Sequence, residues 1–286
     1  MYESFVALIT PFNVNNEIDY LELFHLIDYQ IENEIEGIVL LSSVSEAYSL
    51  TIEEKIELIT KCVNHINGRI KIIVKIVENN PKYILDFSRK IDNLDFDYFM
   101  IETPLYSKNN DSGMVKYFTY LADNLSKPIV INENHLKSHF ILSLDVIKRL
   151  SYRHNIHGVI ESGLTSKELV DYSFCLKENF KVYCADDYLI IPSFSLGYSG
   201  IISMVGNAYP KEIVNIVKHL KEDIKVSKNT FNKIRILIED LKFEQETISL
   251  KYLLYILGFN VQKVRLPLDE CSNALKRKIE EDCLDL

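Results

Sequence analysis

Ile70-Lys-Ile-Ile-Val-Lys-Ile-Val77, followed across a short polar stretch by Pro81, reads as a buried strand that feeds a helix. One parity of this run (Ile70, Ile72, Val74, Ile76) is wholly apolar, while the other carries Lys71 and Lys75. Near-continuous apolar character of this kind belongs to parallel strands covered by helices on their outer face. Pro81 suits the first helical turn, where its missing N–H is not needed and its φ is already set. Working outward, similar short runs recur at Phe5–Ile9, Gly37–Leu41, Tyr98–Ile101, Ile129–Ile131, Gly158–Ile160, Lys181–Cys184 and Ile201–Met204. Helical segments lie between them. Thr51-Ile-Glu-Glu54 is a capping box, and Ser143 and Ser166 read as further N-caps. Alternation without a composition break predicts an α/β fold, a closed (β/α)8 TIM barrel rather than an open doubly wound sheet. From Pro210 onward the pattern is purely helical. The expected organisation is a barrel over 1–222 and a C-terminal helical appendage over 223–286, forming one structural unit. About three helices fill that appendage, more than barrel closure needs.

The bulk properties narrow the function classes. A chain of 286 residues with 47% hydrophobic content can bury a full core without disulfides or a structural metal. Its five cysteines are scattered and form no CxxC pair, as expected for reduced thiols in the cytoplasm. The opening residues MYESFVALITPF lack a basic region and a cleavage site, so they read as a first strand and not as a signal peptide. No apolar run approaches the roughly 20 residues that span a bilayer. A formal net charge of −9 argues against nucleic acid or an anionic membrane as a partner.

In such a barrel the chemistry sits at the C-terminal ends of the strands and in the loops that follow. This directs attention to Ser42–Tyr48, Glu102–Lys108, Asn132–Lys137 and Ile160–Gly163. His135 and His139 have i,i+4 spacing but no acidic third ligand at useful spacing, so no metal is expected, and no motif calls for a cofactor. Asp186-Asp187 reads as the cap of a helix starting near Tyr188. Lys75 has two open readings. It is either a displaced amine nucleophile or half of a buried ion pair with an acid such as Glu102 or Glu133.

Five stretches then carry a resemblance, in order and in spacing. They are Val6-Ala-Leu-Ile-Thr-Pro-Phe12, Thr103-Pro-Leu-Tyr106, Ala185-Asp-Asp187, Gly200-Ile-Ile-Ser-Met-Val-Gly-Asn-Ala-Tyr-Pro210 and Val264-Arg-Leu-Pro-Leu268. Over its whole length the chain resembles the dihydrodipicolinate synthase / N-acetylneuraminate lyase family, most closely the synthase branch. The resemblance implies a homotetrameric lyase performing pyruvate-dependent aldol chemistry through a lysine imine on the sixth strand. It also implies a proton-moving tyrosine ending strand five, a relay hydroxyl in a Gly-x-x-Gly-Glu loop after strand two, a second tyrosine crossing a dimer interface, and an arginine after strand five.

Carried over residue by residue, that site is altered. Ile160 occupies the lysine position and Asn132 the strand-five tyrosine position. The loop reads Ser42-Ser-Val-Ser-Glu46: Ser43 keeps the relay hydroxyl, Val44 replaces a hydroxyl-bearing residue, and serines replace both glycines. Tyr106 matches the interface tyrosine, Lys137 stands where the arginine would be, and Ile202 matches a substrate-lining position. Isoleucine forms no imine, and asparagine has no group that shuttles protons near neutrality. The expectation is a pseudoenzyme: a non-catalytic or regulatory subunit, or a binder of a keto-acid-like small molecule. It would work as a homo-oligomer or beside a lysine-bearing paralogue. The open alternative is an active pyruvate-dependent aldolase or lyase using a relocated lysine such as Lys75.

Overall fold

In the computed structural model, residues 2–105, 109–134, 138, 141–162 and 165–283 are described. Eight strands follow one another in chain order around a closed parallel barrel. They are β1 (Glu3–Ala7), β2 (Gly37–Leu40), β3 (Lys71–Ile76), β4 (Tyr98–Glu102), β5 (Ile129–Asn134), β6 (Ile156–Ser162), β7 (Lys181–Cys184) and β8 (Gly200–Ser203). The (β/α)8 expectation therefore holds. Strands β5 and β6 run further than the apolar runs alone indicate, because Asn132–Asn134 and Glu161–Ser162 continue the ladder as residue pairs.

By density of contacts the chain forms two compact units. One comprises residues 1–3 and 71–202. It contains β3–β7, most of β8, and helices α3 (Pro81–Ile91), α4 (Asp111–Asn124), α5 (Leu144–Leu150), α6 (Ser166–Ser173) and α7 (Ile190–Ser195). Pro81 opens α3 as expected, with the Asn80 side chain accepting the Lys82 N–H. Ser143 caps α5. The cap of α6 is not Ser166 but Thr165, whose hydroxyl accepts the Glu168 N–H while Glu168 reaches back to the Thr165 N–H. Thr165-x-x-Glu168 satisfies two orphan donors reciprocally, and a serine at the next position cannot do this.

The other unit comprises residues 4–70 and 203–286. It holds β2, α1 (Tyr20–Glu32), α2 (Ile52–Ile66), α8 (Pro210–His219) and the C-terminal helices α9 (Ile224–Leu241), α10 (Glu246–Ile256) and α11 (Asn273–Cys283). The Thr51–Glu54 capping box starts α2. The Gly-Asn-Ala-Tyr-Pro stretch is structural here. Asn207 Oδ1 accepts the Ile9 N–H at 3.2 Å, its Nδ2 donates to Ala7 O at 2.8 Å, and its carbonyl accepts from Gln30. Gly206 makes that tie possible, since a Cβ there would stand 2.8 Å from the Val6 side chain. Among the described residues no helix is long and apolar enough to cross a membrane.

Candidate functional site

The parallel register aligns Glu102, Asn132, Ile160 and Tyr183 on neighbouring strands, β4 to β7. Because side chains alternate along a strand, these four share one face of the barrel wall. The next residues along, Glu133 and Glu161, feel the charge of Glu168 on α6 and so take the helix-facing side. The Glu102–Tyr183 row is therefore interior. Ile160 is 1% exposed and packs as an ordinary core residue.

Lys75 on β3 is the register partner of Met100, two residues before Glu102, and reaches the row through its side chain. Its Nζ lies 3.1 Å from Glu102 Oε2, and Asn132 Nδ2 donates to Glu102 Oε1 at 3.4 Å. Lys75 and Glu102 are 2% and 5% exposed. Of its two open readings, the ion pair with Glu102 is the geometry found. Lys71 takes no part in it; it donates to Glu3 Oε1 at 2.5 Å. The other oxygen of Glu3 accepts the Tyr183 hydroxyl at 2.7 Å, and His157 Nε2 lies 3.3 Å from that hydroxyl, its ring stacked on Tyr98. Burial lowers His157 to about 4, overriding the opposing pull of Glu3. Tyr183 thus extends toward the start of β1, away from the Asn132 end of the row.

On the helix-facing side, Glu133 and Glu161 are fully buried register partners, and Cys184 is the partner of Glu161 on β7. Burial, with the Glu161 and Glu168 charges added, raises Glu133 to about 8. Burial also raises Glu161 to about 7, partly opposed by a hydrogen bond with the Cys184 thiol. Two adjacent carboxyls in low dielectric resist ionising together. Asp186 accepts the Tyr188 N–H and caps a short 3-10 turn, Asp187–Leu189, in keeping with a capping role for this acidic pair.

In the second unit, β2 ends at Leu40, and Leu41 (φ +58°) leads toward a 3-10 turn, Ser43–Ser45. Glu46 follows at φ +55°, then a second turn, Ala47–Ser49, leads into α2. Ser43 is exposed and Val44 buried. The Ser45 hydroxyl donates to Ser42 O at 2.8 Å and so braces the turn. Ser42 is buried, its hydroxyl without a hydrogen-bond partner among the described residues. The positive φ at Glu46, uncommon for a side-chain-bearing residue, is held by its carboxylate. Oε1 accepts Lys251 Nζ at 2.5 Å and Oε2 accepts the Arg265 N–H at 2.8 Å. Lys251 also donates to Lys263 O at 2.7 Å, and its Nζ sits 4.5 Å over the Phe12 ring. Burial drags Lys251 down to about 8 despite the Glu46 carboxylate beside it. Arg265 grips Glu54 with two nitrogens, at 2.8 and 2.6 Å.

Of the residues expected at the site, Asn132 and Ile160 stand together in one unit, with Ile202 buried on β8. Ser43 and Val44 stand in the other. Tyr106, Lys137 and the histidines His135 and His139 lie outside the described residues. Among the described residues no group of three or more His, Cys, Asp or Glu is placed to hold a metal ion. The role of Lys251 went unread in the sequence. It sits alone in an apolar helix, and its partner lies 205 residues away.

A closed parallel (β/α)8 barrel defines a fold class that hosts many different chemistries. The match to known proteins is narrower. The profile of the dihydrodipicolinate synthetase family covers residues 1–284, and the chain belongs to that family. It is 30% identical over 276 residues to a 4-hydroxy-tetrahydrodipicolinate synthase of Brachyspira hyodysenteriae, covering 96% of this chain and 94% of that one. The corresponding enzyme of Karelsulcia muelleri is 32% identical over 281 residues, with 96% and 94% covered. Among solved structures, dihydrodipicolinate synthase from Aquifex aeolicus superposes with a TM-score of 0.93 at 28% identity, covering 98% of this chain and 96% of that one.

Proposed function

We propose that this chain is a member of its family that has lost pyruvate imine chemistry. It serves as a non-catalytic or regulatory subunit, or as a binder of a keto-acid-like small molecule. One observation carries the reading: Ile160, at the position matching the imine lysine, is 1% exposed and packed in the interior row beside Asn132 and Tyr183. A hydrocarbon side chain offers no nitrogen for an imine, and its burial supports a position filled as core. Asn132 cannot take the proton-moving role at the neighbouring position. The nearby ammonium of Lys75 is engaged by Glu102. Free cysteines throughout the described residues accord with a reducing, cytoplasmic setting. Assembly into a homo-oligomer, or with a lysine-bearing paralogue, belongs to the same reading.

Borohydride reduction in the presence of pyruvate, followed by peptide mass spectrometry, tests it. The expected result is an unmodified chain. A reduced pyruvyl adduct on any lysine overturns the reading and restores an aldolase or lyase, with Lys75 the first residue to inspect.

A further inference from the structure

A groove of about 680 Å³ lies between the end of α1, helix α8 and helix α9, entirely within the second unit. The chain enters β2 from this side, whereas the loop Ser42–Glu46 leaves the other end of that strand, so the two share no residue. Asn215 Nδ2 on α8 donates to Thr230 Oγ1 on α9 at 2.9 Å, and Thr230 is 8% exposed. That bond pins the two helices together, so the groove is preformed. Among the described residues Val214 is the one apolar side chain that lines it, which leaves charge to decide what it holds.

Two of those charges are placed against their own helices. Glu32 ends α1, whose last turn carries no basic residue, and Glu34 follows it. Acids there add to the negative end of the helix dipole. Lys211 follows Pro210 at the start of α8, where the positive end disfavours a cation. By contrast Glu212 and Lys218, which also line the groove, stand at the ends of α8 that suit their signs. Among the described residues Glu32, Glu34, Lys211 and Lys233 on α9 make no ion pair, although all four line this one groove. Local rules broken without a gain inside the chain belong to binding sites.

A lone anion drawn to the lysines is repelled by the glutamates, and a lone cation drawn to the glutamates is repelled by the lysines. A molecule with one charge of each sign at opposite ends meets both sets in charge-assisted hydrogen bonds. The glutamates and lysines stand too far apart to pair directly, so the charges of the ligand must be separated as well. The volume lies within the range of roughly 300–1,000 Å³ usual for ligand sites, more than one amino acid fills. We propose that this groove binds a short peptide with free termini, its carboxylate held by Lys211 and Lys233 and its ammonium by Glu32 and Glu34. The site neither needs nor tests the loss of imine chemistry.

The test titrates the full chain by calorimetry with trialanine, N-acetyl-trialanine and trialanine amide at low salt. Trialanine is expected to bind, and each capped form, lacking one terminal charge, to bind at least about tenfold more weakly. Lys211→Met/Lys233→Met and Glu32→Gln/Glu34→Gln should each weaken trialanine by about the same factor. All four residues are exposed, so unchanged thermal unfolding should accompany both variants. In the lysine variant trialanine amide should bind more tightly than it does to the natural chain, because the repulsion of its cation is gone. No measurable binding of trialanine at millimolar concentration overturns the proposal. So does equal binding of the capped peptides, or trialanine binding that survives both variants.

Discussion

Lys251 and Lys75 are both buried and both face a glutamate, but the two pairs are finished differently. Around Lys251 the backbone does much of the completing. The Lys263 carbonyl takes a second ammonium proton, and the Arg265 N–H fills the second oxygen of Glu46. Around Lys75 the second oxygen of the acid is met by an Asn132 amide at 3.4 Å, near the limit of a hydrogen bond. The first pair fixes the backbone path of the loop after β2. The second joins side chains of three successive strands, β3, β4 and β5, whose own ladders are complete without it. Identical charges thus tie a loop to a distant helix in one place and link neighbouring strands in the other.

The sharpest way to break this contrast is Lys251→Met. Glu46 would be left buried against a thioether, and the expected loss is about 3–5 kcal/mol in chemical denaturation. A loss under about 1 kcal/mol would show that Lys251 is no fastening.

A second test uses the buried acids that face α6. Burial raises Glu133 and Glu161 in the folded chain above the ordinary carboxylate value of 4.5, to about 8 and about 7. Between those limits the folded chain binds more protons than the unfolded one. Their contribution is therefore most favourable below about 4.5 and is lost as pH rises through 7 to 8. Glu161→Gln should cancel part of that loss. Relative to the natural chain it should gain on the order of 2 kcal/mol between pH 5 and pH 9 in paired denaturation curves. A pH-independent difference would mean that the two carboxyls do not hold a proton.

Smaller effects follow. Thr51→Ala removes the capping-box hydroxyl at the start of α2 and should lower stability by about 1 kcal/mol, read as a shift in denaturation midpoint. Replacing both members of the interior pair, Lys75→Met with Glu102→Leu, should change stability by less than about 1 kcal/mol, because buried ion pairs exchange well for apolar side chains. A large loss from that double replacement would abolish the distinction between the two pairs.

Much of this was legible in the sequence because it is written locally. Parity along Ile70–Val77, the Thr51–Glu54 box and Pro81 each place an element through residues only a few positions apart. Ile160 and Asn132 were legible through their place in a recognisable motif order, and register confirms that they are neighbours. Glu133 and Glu161 were harder, since an acid one residue beyond an apolar strand end normally meets water. Here the ladder continues through both and α6 covers them. Thr165 was missed in favour of Ser166 because both are good caps, and only the partner at Glu168 tells them apart. Lys251 had no local signature at all.

The tie between Glu46 and Lys251 also has a consequence during synthesis. The polypeptide emerges from the ribosome in order, and 205 residues separate the acid from the amine that neutralises it. Until that amine is made, the loop after β2 can close only by burying a bare carboxylate. It must stay hydrated while the later strands are already available. The last helices thus complete the second loop from the N-terminus, and a nascent chain stopped before residue 251 should leave that loop open to proteolysis.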